Sequence, residues 1–388
     1  MIHTLDFLVI STFLLVQSRI TIVLLRSAAA RFRGARLFLA RASIVVLDLV
    51  LVAGYVLSFS ELLSWLRVPS KAGSFLAASA LFYLLLATAG LALHTVTRFA
   101  LRRWAADTDP ERRRMIELAG KAAIVVPAAV LGYGTFIQRL DFHVREVDVP
   151  LAQLPPDLDG FRILQLSDIH RGPFLSDSDL GRVIDATLDL KPHLAVITGD
   201  LISTRGDPLD ACIQQLARVK ADAGVFGCMG NHERYADACD YTEAAAARVG
   251  IRFLRGQAQA LRIGAATLNL AGVDYQRKDE KSHYLQGADR LIQPGAVNVL
   301  LSHNPDVFPA AARQGYNLLL AGHTHGGQVN VEILDESINP ARFFTPYIYG
   351  LYRSGAAAGY VTRGIGTIGL PTRIGAPPEI SVLRLRKV

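Results

Sequence analysis

"YNLLLAGHTHGGQV", residues 316–329, sets an apolar run against two histidines one residue apart and brackets them with glycines. The run reads as a short buried strand. Glycine lets the backbone turn tightly and lets a ligand come close. On an extended segment, residues i and i+2 point to the same side, so His323 and His325 can reach one metal ion or two adjacent ones. Taken alone, the pair reads more simply as a polar turn with solvated imidazoles, and the rest of the chain decides.

Working outward, "RILQLS" (162–167) ends at Asp168, "HLAVIT" (193–198) at Gly199 and Asp200, and "GVFGCM" at "GNHE". "AVNVLLSH" ends at His303, and "FHVREVDVPL" alternates like a strand. "DSDLGRVIDATLDL" has helical spacing and an Asp/Ser-rich start that can cap it, and "DPLDACIQQLARV" reads as a second helix. Strands alternate with helices, and polar residues recur where strands end, which is where α/β sheets build sites. Asp168, His170, Asp200, Asn231, His232, His303, His323 and His325 form an oxygen and nitrogen donor set that suits Mn, Fe or Zn. The absence of thiolates from it argues against a structural zinc. Cys212, Cys228 and Cys239 are unevenly spaced and make no disulfide framework.

The order Asp-x-His, Gly-Asp, Gly-Asn-His-Glu, His, Gly-His-x-His resembles the signature of the calcineurin-like metallophosphoesterases, with all five blocks present within residues 142–388. The resemblance implies an α/β fold, a four-layer αββα sandwich with two mixed sheets packed together and helices outside. It implies two divalent metal ions, manganese before iron or zinc. Asp168, His170 and His325 would hold one, Asn231, His303 and His323 the other, with Asp200 bridging. The catalytic residues it implies are Asp200 and His232, the latter stabilising the transition state or protonating the leaving oxygen. Two such ions lower the pKa of a shared water and clamp the phosphoryl oxygens, and general-acid help is worth roughly 10²–10⁴-fold. Glu233 reads either as a support for the site or as a helix N-terminal carboxylate.

The chain has 388 residues, enough for two or more domains. Its first 140 residues are rich in Leu, Ala and Val and account for the positive mean hydropathy of +0.28. Four runs, 7–25, 42–63, 73–93 and 119–137, approach the roughly 20 residues that cross a bilayer. The first contains Gln17 and Arg19 and reads as a span or an interfacial helix. It lacks the basic start and cleavage site of a signal peptide. Residues 1–138 therefore read as an all-α transmembrane bundle that anchors the domain at 142–388 to the lipid bilayer. Arginines cluster between the first and second runs (Arg26, Arg31, Arg33, Arg36, Arg41) and around the loop between the third and fourth (Arg98, Arg102, Arg103, Arg112, Arg113, Arg114). The positive-inside rule puts both loops in the cytoplasm and the domain outside, in a multi-pass inner-membrane protein. The net charge of +7 is thus a topology signal and no mark of a nucleic-acid partner. Asp48, inside the second run, is a functional candidate by default, with a helix–helix hydrogen bond as the simpler reading.

"GIGTIG" (364–369) matches a dinucleotide fingerprint letter for letter, but "LPTRIGAPPEI" follows where a helix must open, so no nicotinamide cofactor is expected. The same stretch resembles a membrane-associated branch of the metallophosphoesterases. That branch includes transmembrane proteins with such a domain and enzymes cleaving UDP-2,3-diacylglucosamine in lipid A synthesis. "INPARFFTPYIYGLYR" (338–353) sets aromatics beside arginines, which suits a membrane–water interface or an acyl-chain groove as well as core filling. About five residues tether the domain to the last span, which raises its effective concentration toward lipids. A membrane-anchored hydrolase of a phosphodiester or pyrophosphate with a lipid portion is the expectation. UDP-2,3-diacylglucosamine is made on the cytoplasmic side, so that substrate conflicts with the arginine counts. The rival from another class is a non-catalytic, metal-binding membrane scaffold.

Overall fold

The computed structural model describes residues 4–58, 70–104, 109–333 and 336–388. The chain divides into one unit at Met1–Phe136 with Gly369–Pro371 and a second at Ile137–Ile368 with Thr372–Val388.

Among the described residues, the first unit holds four helices, α1 (Thr4–Arg31), α2 (Gly34–Ser58), α3 (Ser70–Trp104) and α4 (Pro110–Phe136). Among the described residues, three stretches are long and apolar enough to cross a membrane: Ile10–Arg31, Ala78–Leu101 and Pro110–Leu140. The run expected at 42–63 lies in α2 as far as Ser58, and its last residues fall outside the described ones. The helices extend beyond the apolar runs because Arg and Ala at their ends are good helix formers. Leu15, Leu49, Val50, Leu85 and Phe99 face outward, while Phe13, Val16, Ile20, Tyr83, Ala87 and Ile124 form an inner seam. A helical unit that is apolar on both its inner and outer faces is what hydrocarbon surroundings select. Asp48 takes the simpler of its two readings. Its Oδ1 accepts from Gln17 Nε2 at 2.9 Å and Thr21 Oγ1 at 2.5 Å, and Tyr83 OH donates to Gln17 Oε1 at 2.8 Å.

The second unit is built on two six-stranded sheets. The first contains β1 (His143–Leu151), β2 (Arg162–Leu166), β3 (Leu194–Ile197), β4 (Val225–Gly227) and β5 (Ile251–Phe253). The second contains β6 (Gln257–Ile263), β7 (Ala266–Gly272), β8 (Val297–Leu301) and β9 (Leu318–Ala321). A short hairpin, β10 (Val331–Ile333) and β11 (Glu336–Ile338), stands apart. β12 (Gly350–Ser354) and β13 (Ala357–Val361) complete the second sheet, and β14 (Glu379–Lys387) inserts into the first. The strand orders are β1-β14-β2-β3-β4-β5 and β12-β13-β9-β8-β7-β6.

Period-two alternation of side chains makes the layers. Val196 and Leu194 of β3 meet Val299, Leu318, Leu320 and Tyr360 of the other sheet, while Ala195 and Ile197 turn to the outer helices. Those helices are α5 (Asp177–Leu188), α6 (Leu209–Leu216) and α8 (Cys239–Arg248), with the one-turn α7 (Asn231–Tyr235) between the last two. Ser176 caps α5 in a reciprocal capping box with Asp179. On the far side, α9 (Phe308–Gln314) covers Leu300 and Leu319 with Phe308 and Ala311. The result is the expected αββα sandwich. β2, β3 and β4 run parallel in one sheet and β8 and β9 in the other, so each group releases its chain at one sheet edge. Gln165, between the sheets, ties those edges by donating to Thr198 Oγ1 and Ala321 O, both at 2.9 Å.

Candidate metal centre

The loops leaving β2, β3 and β9 bend sharply at polar residues. Asp168, His170, Asp200, His323 and His325 all have positive φ, between 48° and 77°. A non-glycine residue there costs on the order of 1–3 kcal/mol and persists where the surroundings over-determine it. The loops also press together. A Cβ on Gly230 would lie 2.1 Å from Asp200 Oδ1, and one on Gly322 would lie 2.3 Å from Asp168 Oδ2. These two glycines are the condition for the carboxylates to converge.

The reading of His323 and His325 as i, i+2 residues of an extended segment is overturned. β9 stops at Ala321, and both histidines sit in left-handed backbone within a turn. The turn sends their rings apart. His325 joins Asp168 and His170 in one potential ligand group, His323 joins Asp200 and His303 in another, and His232 stands with His170 and Asp200 in a third. His325 Nε2 lies 3.1 Å from His170 Nε2 and 3.4 Å from Asp168 Oδ1. His323 Nδ1 lies 3.2 Å from His303 Nε2, which is 3.0 Å from Asp200 Oδ2. Asp200 Oδ2 is also 3.4 Å from His170 Nε2, so this carboxylate stands between the first two groups. Asn231 opens α7 beside them.

Hydrogen bonds behind the rings decide which nitrogen faces inward. His303 Nδ1 lies 2.6 Å from Thr198 O and His325 Nδ1 lies 3.3 Å from Gly366 O, so both donate backward and present Nε2 to the centre. His232 Nδ1 likewise donates to Ser203 O at 2.5 Å, and its backbone N–H donates to Asp200 Oδ1 at 2.9 Å. Burial raises the pKa of Asp168, and the Asp200 charge adds to it. Burial would raise Asp200 too, but His303 and His170 hold it well below the usual carboxylate range. Burial alone would lower His303, yet Asp200 and Asp168 push it up to about 10. His323 is lowered to about 3 and His325 well below the ordinary value, both chiefly by burial and then by neighbouring imidazoles. The latter two rings therefore offer free lone pairs at neutral pH.

Among the described residues, Gln165 Oε1 and Gln314 Oε1 are buried acceptors without a hydrogen-bond partner, and so are two oxygens of the site, Asp168 Oδ2 and Asn231 Oδ1. An unmet buried oxygen is costly, about 1–3 kcal/mol, and more for a charge. The two oxygens of the site belong to the predicted ligand set. Lone pairs converging from carboxylates, an amide and imidazoles fit a divalent cation pair with mixed oxygen and nitrogen ligands.

Glu233, whose sequence reading was open, supports the site. Fully buried, it accepts from the backbone N–H of Gly230 at 2.8 Å, Asp200 at 2.9 Å and Leu201 at 2.7 Å. Two residues escaped sequence reasoning. Tyr275 packs its ring against His303 and His323, with centroids 5.9 and 5.4 Å away. Arg373, fully buried, donates to Gly366 O, His325 O and Ala376 O behind the site. Its only sequence signal was a cation inside a Gly/Pro loop. The "GIGTIG" stretch forms loop without a helix, and a Cβ on Gly364 would lie 2.6 Å from Asp168 Cβ. A cavity of about 270 Å³ opens beside His323, lined by Tyr275, Asn304, Asp306, Phe344 and Thr345. The aromatic segment splits in two: Phe343 and Phe344 are exposed, while Tyr347 stacks edge-on against Phe308 and Tyr352.

Residues 161–327 match the family model described as calcineurin-like phosphoesterase. An uncharacterized metallophosphoesterase of Bacillus subtilis, YkuE, is 30% identical over 66% of this chain and 89% of its own. A zebrafish (Danio rerio) transmembrane protein with metallophosphoesterase domain is 31% identical over 68% of this chain, which spans 62% of that protein's length. Phosphodiesterase YaeI of Escherichia coli is 27% identical over 71% of this chain and 98% of its own.

Proposed function

From the premise that this chain belongs to the calcineurin-like phosphoesterase family and is a phosphoester hydrolase, we propose that it is a membrane-anchored, dinuclear metal-dependent phosphodiesterase. Its substrate is a membrane-proximal phosphodiester or pyrophosphate with an apolar portion. The observation that carries the reading is the pair of orphaned oxygens, Asp168 Oδ2 and Asn231 Oδ1, amid converging imidazoles. In this assignment Asp168, His170 and His325 hold one ion and Asn231, His303 and His323 the other, with Asp200 between them. Manganese is the first candidate. When bound, two such ions supply Lewis acidity toward phosphoryl oxygens and acidify water.

The chain's own residues do the rest. Glu233 fixes the Asp200 and Gly230 loops through three backbone hydrogen bonds. His232 Nε2, left free by the bond from Nδ1 to Ser203 O, faces the leaving oxygen. The cavity beside His323 receives the substrate's non-phosphate portion, and Phe344 on its wall, with Phe343 exposed nearby, supports an amphipathic ligand. The arginine-rich loops support an extracytoplasmic catalytic domain. The printed name of YaeI favours diesters over monoesters.

The test is hydrolysis of bis(p-nitrophenyl) phosphate by the full chain with Mn²⁺, Fe²⁺ or Zn²⁺. Turnover with at least one ion supports the proposal. Tight metal binding without turnover would leave a metal-binding scaffold. Fusing a compartment-specific reporter to the C-terminus tests the orientation, and a cytoplasmic result would favour UDP-2,3-diacylglucosamine as substrate.

A further inference from the structure

The helical unit contains a second site that the phosphoesterase reading does not use. A cavity of about 620 Å³ lies between α1, α3 and α4, lined by Arg26, Arg98, Arg113, Lys121, Glu117 and His94. Four cations thus face one carboxylate. Glu117 is already engaged by Arg113 at 3.5 Å. Among the described residues, Arg26, Arg98 and Lys121 have no carboxylate partner.

A second, independent observation points to a ligand. His94 is 6% exposed, and its Nδ1 lies 2.8 Å from Gly120 O, to which it donates. Its Nε2 is buried with no hydrogen-bond partner. That nitrogen either accepts from a hydroxyl or, as imidazolium, donates to an anionic oxygen. Both are present on a phosphate head group. Val23 and Leu101 add an apolar wall to the same cavity, as the first carbons of a glycerolipid require. On the arginine-count topology the cavity opens at the cytoplasmic ends of these helices. Basic pockets between helices on that side take lipid phosphate.

We infer that this cavity binds the phosphate head group of an anionic phospholipid, with Arg26, Arg98 and Lys121 as its charge partners and His94 Nε2 as its buried polar contact. The inference rests on the membrane reading of the helical unit and is independent of catalysis.

Native mass spectrometry of the full chain in neutral detergent tests it, with phosphatidylglycerol, phosphatidylcholine or inorganic phosphate added in separate arms. The expected result is retention of phosphatidylglycerol well above phosphatidylcholine. Each removed cation should weaken retention about fivefold, so Arg26→Gln/Arg98→Gln/Lys121→Gln loses it almost entirely. Glu117→Gln, an exposed change that leaves the helices intact, should strengthen it several-fold. Retention that millimolar inorganic phosphate abolishes would keep the phosphate chemistry and assign a water-soluble source. Equal retention of both lipids, or of phosphatidylglycerol by wild type and Glu117→Gln alike, would overturn the proposal. Hydrolysis of the aryl diester, unchanged in all these variants, separates its failure from failure of the catalytic reading.

Discussion

Two aspartates in this chain, Asp48 half-buried and Asp168 fully buried, lead opposite lives. Asp48, in the helical unit, meets donors from Gln17 and Thr21, and Tyr83 closes the network through Gln17. Asp168, in the sandwich, is fully buried and leaves Oδ2 without a partner. Both are carboxylates among apolar strands or helices, and neither has an Arg or Lys beside it in an ion pair. The difference is whether the fold meets the oxygen itself. Where it does, the group is part of the architecture; where it does not, and other lone pairs converge beside it, the group is open to a ligand. Asn231 Oδ1 falls on the second side of that line.

The largest expected effect tests the open side. Asp200 stands between the two ligand groups, 3.0 Å from His303 and 3.4 Å from His170. Asp200→Asn should lower kcat/KM on an aryl phosphodiester by roughly 10³-fold or more, as loss of several kcal/mol of metal-borne stabilisation implies. Bound metal, measured by elemental analysis, should fall with it. Full activity in Asp200→Asn would end the claim that the converging lone pairs are a metal centre. His232→Ala should cost roughly 10²–10⁴-fold in kcat, yet keep its metal, because its Nδ1 is turned to Ser203 O and its backbone N–H to Asp200 Oδ1 survives the substitution. Loss of metal in that variant would move His232 among the ligands.

The strand ends at Asp168, Asp200, Asn231, His303 and His323 were legible because each follows a largely apolar run. In a parallel sheet buried on both faces such runs stop only where the chain leaves the sheet. The backbone turns were not legible. The turn carrying His323 and His325 is held by contacts far away in sequence: Gly322 sits against Ser167 and Asp168, Gly326 against Arg363, and His323 N–H donates to Asp168 Oδ1. For the same reason β14 could not be placed: its parallel pairing with β1, His143 opposite Glu379, joins segments from the two ends of the domain. Arg373 was hidden because its partners are backbone carbonyls, Gly366, His325 and Ala376 among them, and a carbonyl leaves no trace in composition.

Glu233 occupies the middle of the comparison: a buried carboxylate that is fully met, but by the backbone of the site itself. Glu233→Gln turns an acceptor-only group into one that presents N–H to N–H. One backbone donor is then left unmet, at about 1–3 kcal/mol. The expected outcome is a lower melting temperature together with a 10- to 100-fold drop in kcat, the usual cost of disturbing a group behind a metal ligand. A drop in stability without any change in kcat would show that the loop positions do not depend on this carboxylate.

The smallest effect tests the closed side. Asp48→Asn keeps an oxygen for Gln17 Nε2 and Thr21 Oγ1, and exchanges the other oxygen for an amide. Hydrogen bonds between helices in a bilayer average about 0.6 kcal/mol, so the intact chain should lose no more than roughly 1 kcal/mol of stability. Its hydrolysis of the aryl diester in vesicles should not change. That null result is informative because intramembrane carboxylates so often mark ion or proton paths. A large loss of turnover in Asp48→Asn, with the fold retained, would mean that its partners Gln17, Thr21 and Tyr83 form a relay, and the line drawn between met and unmet aspartates would no longer separate structure from function.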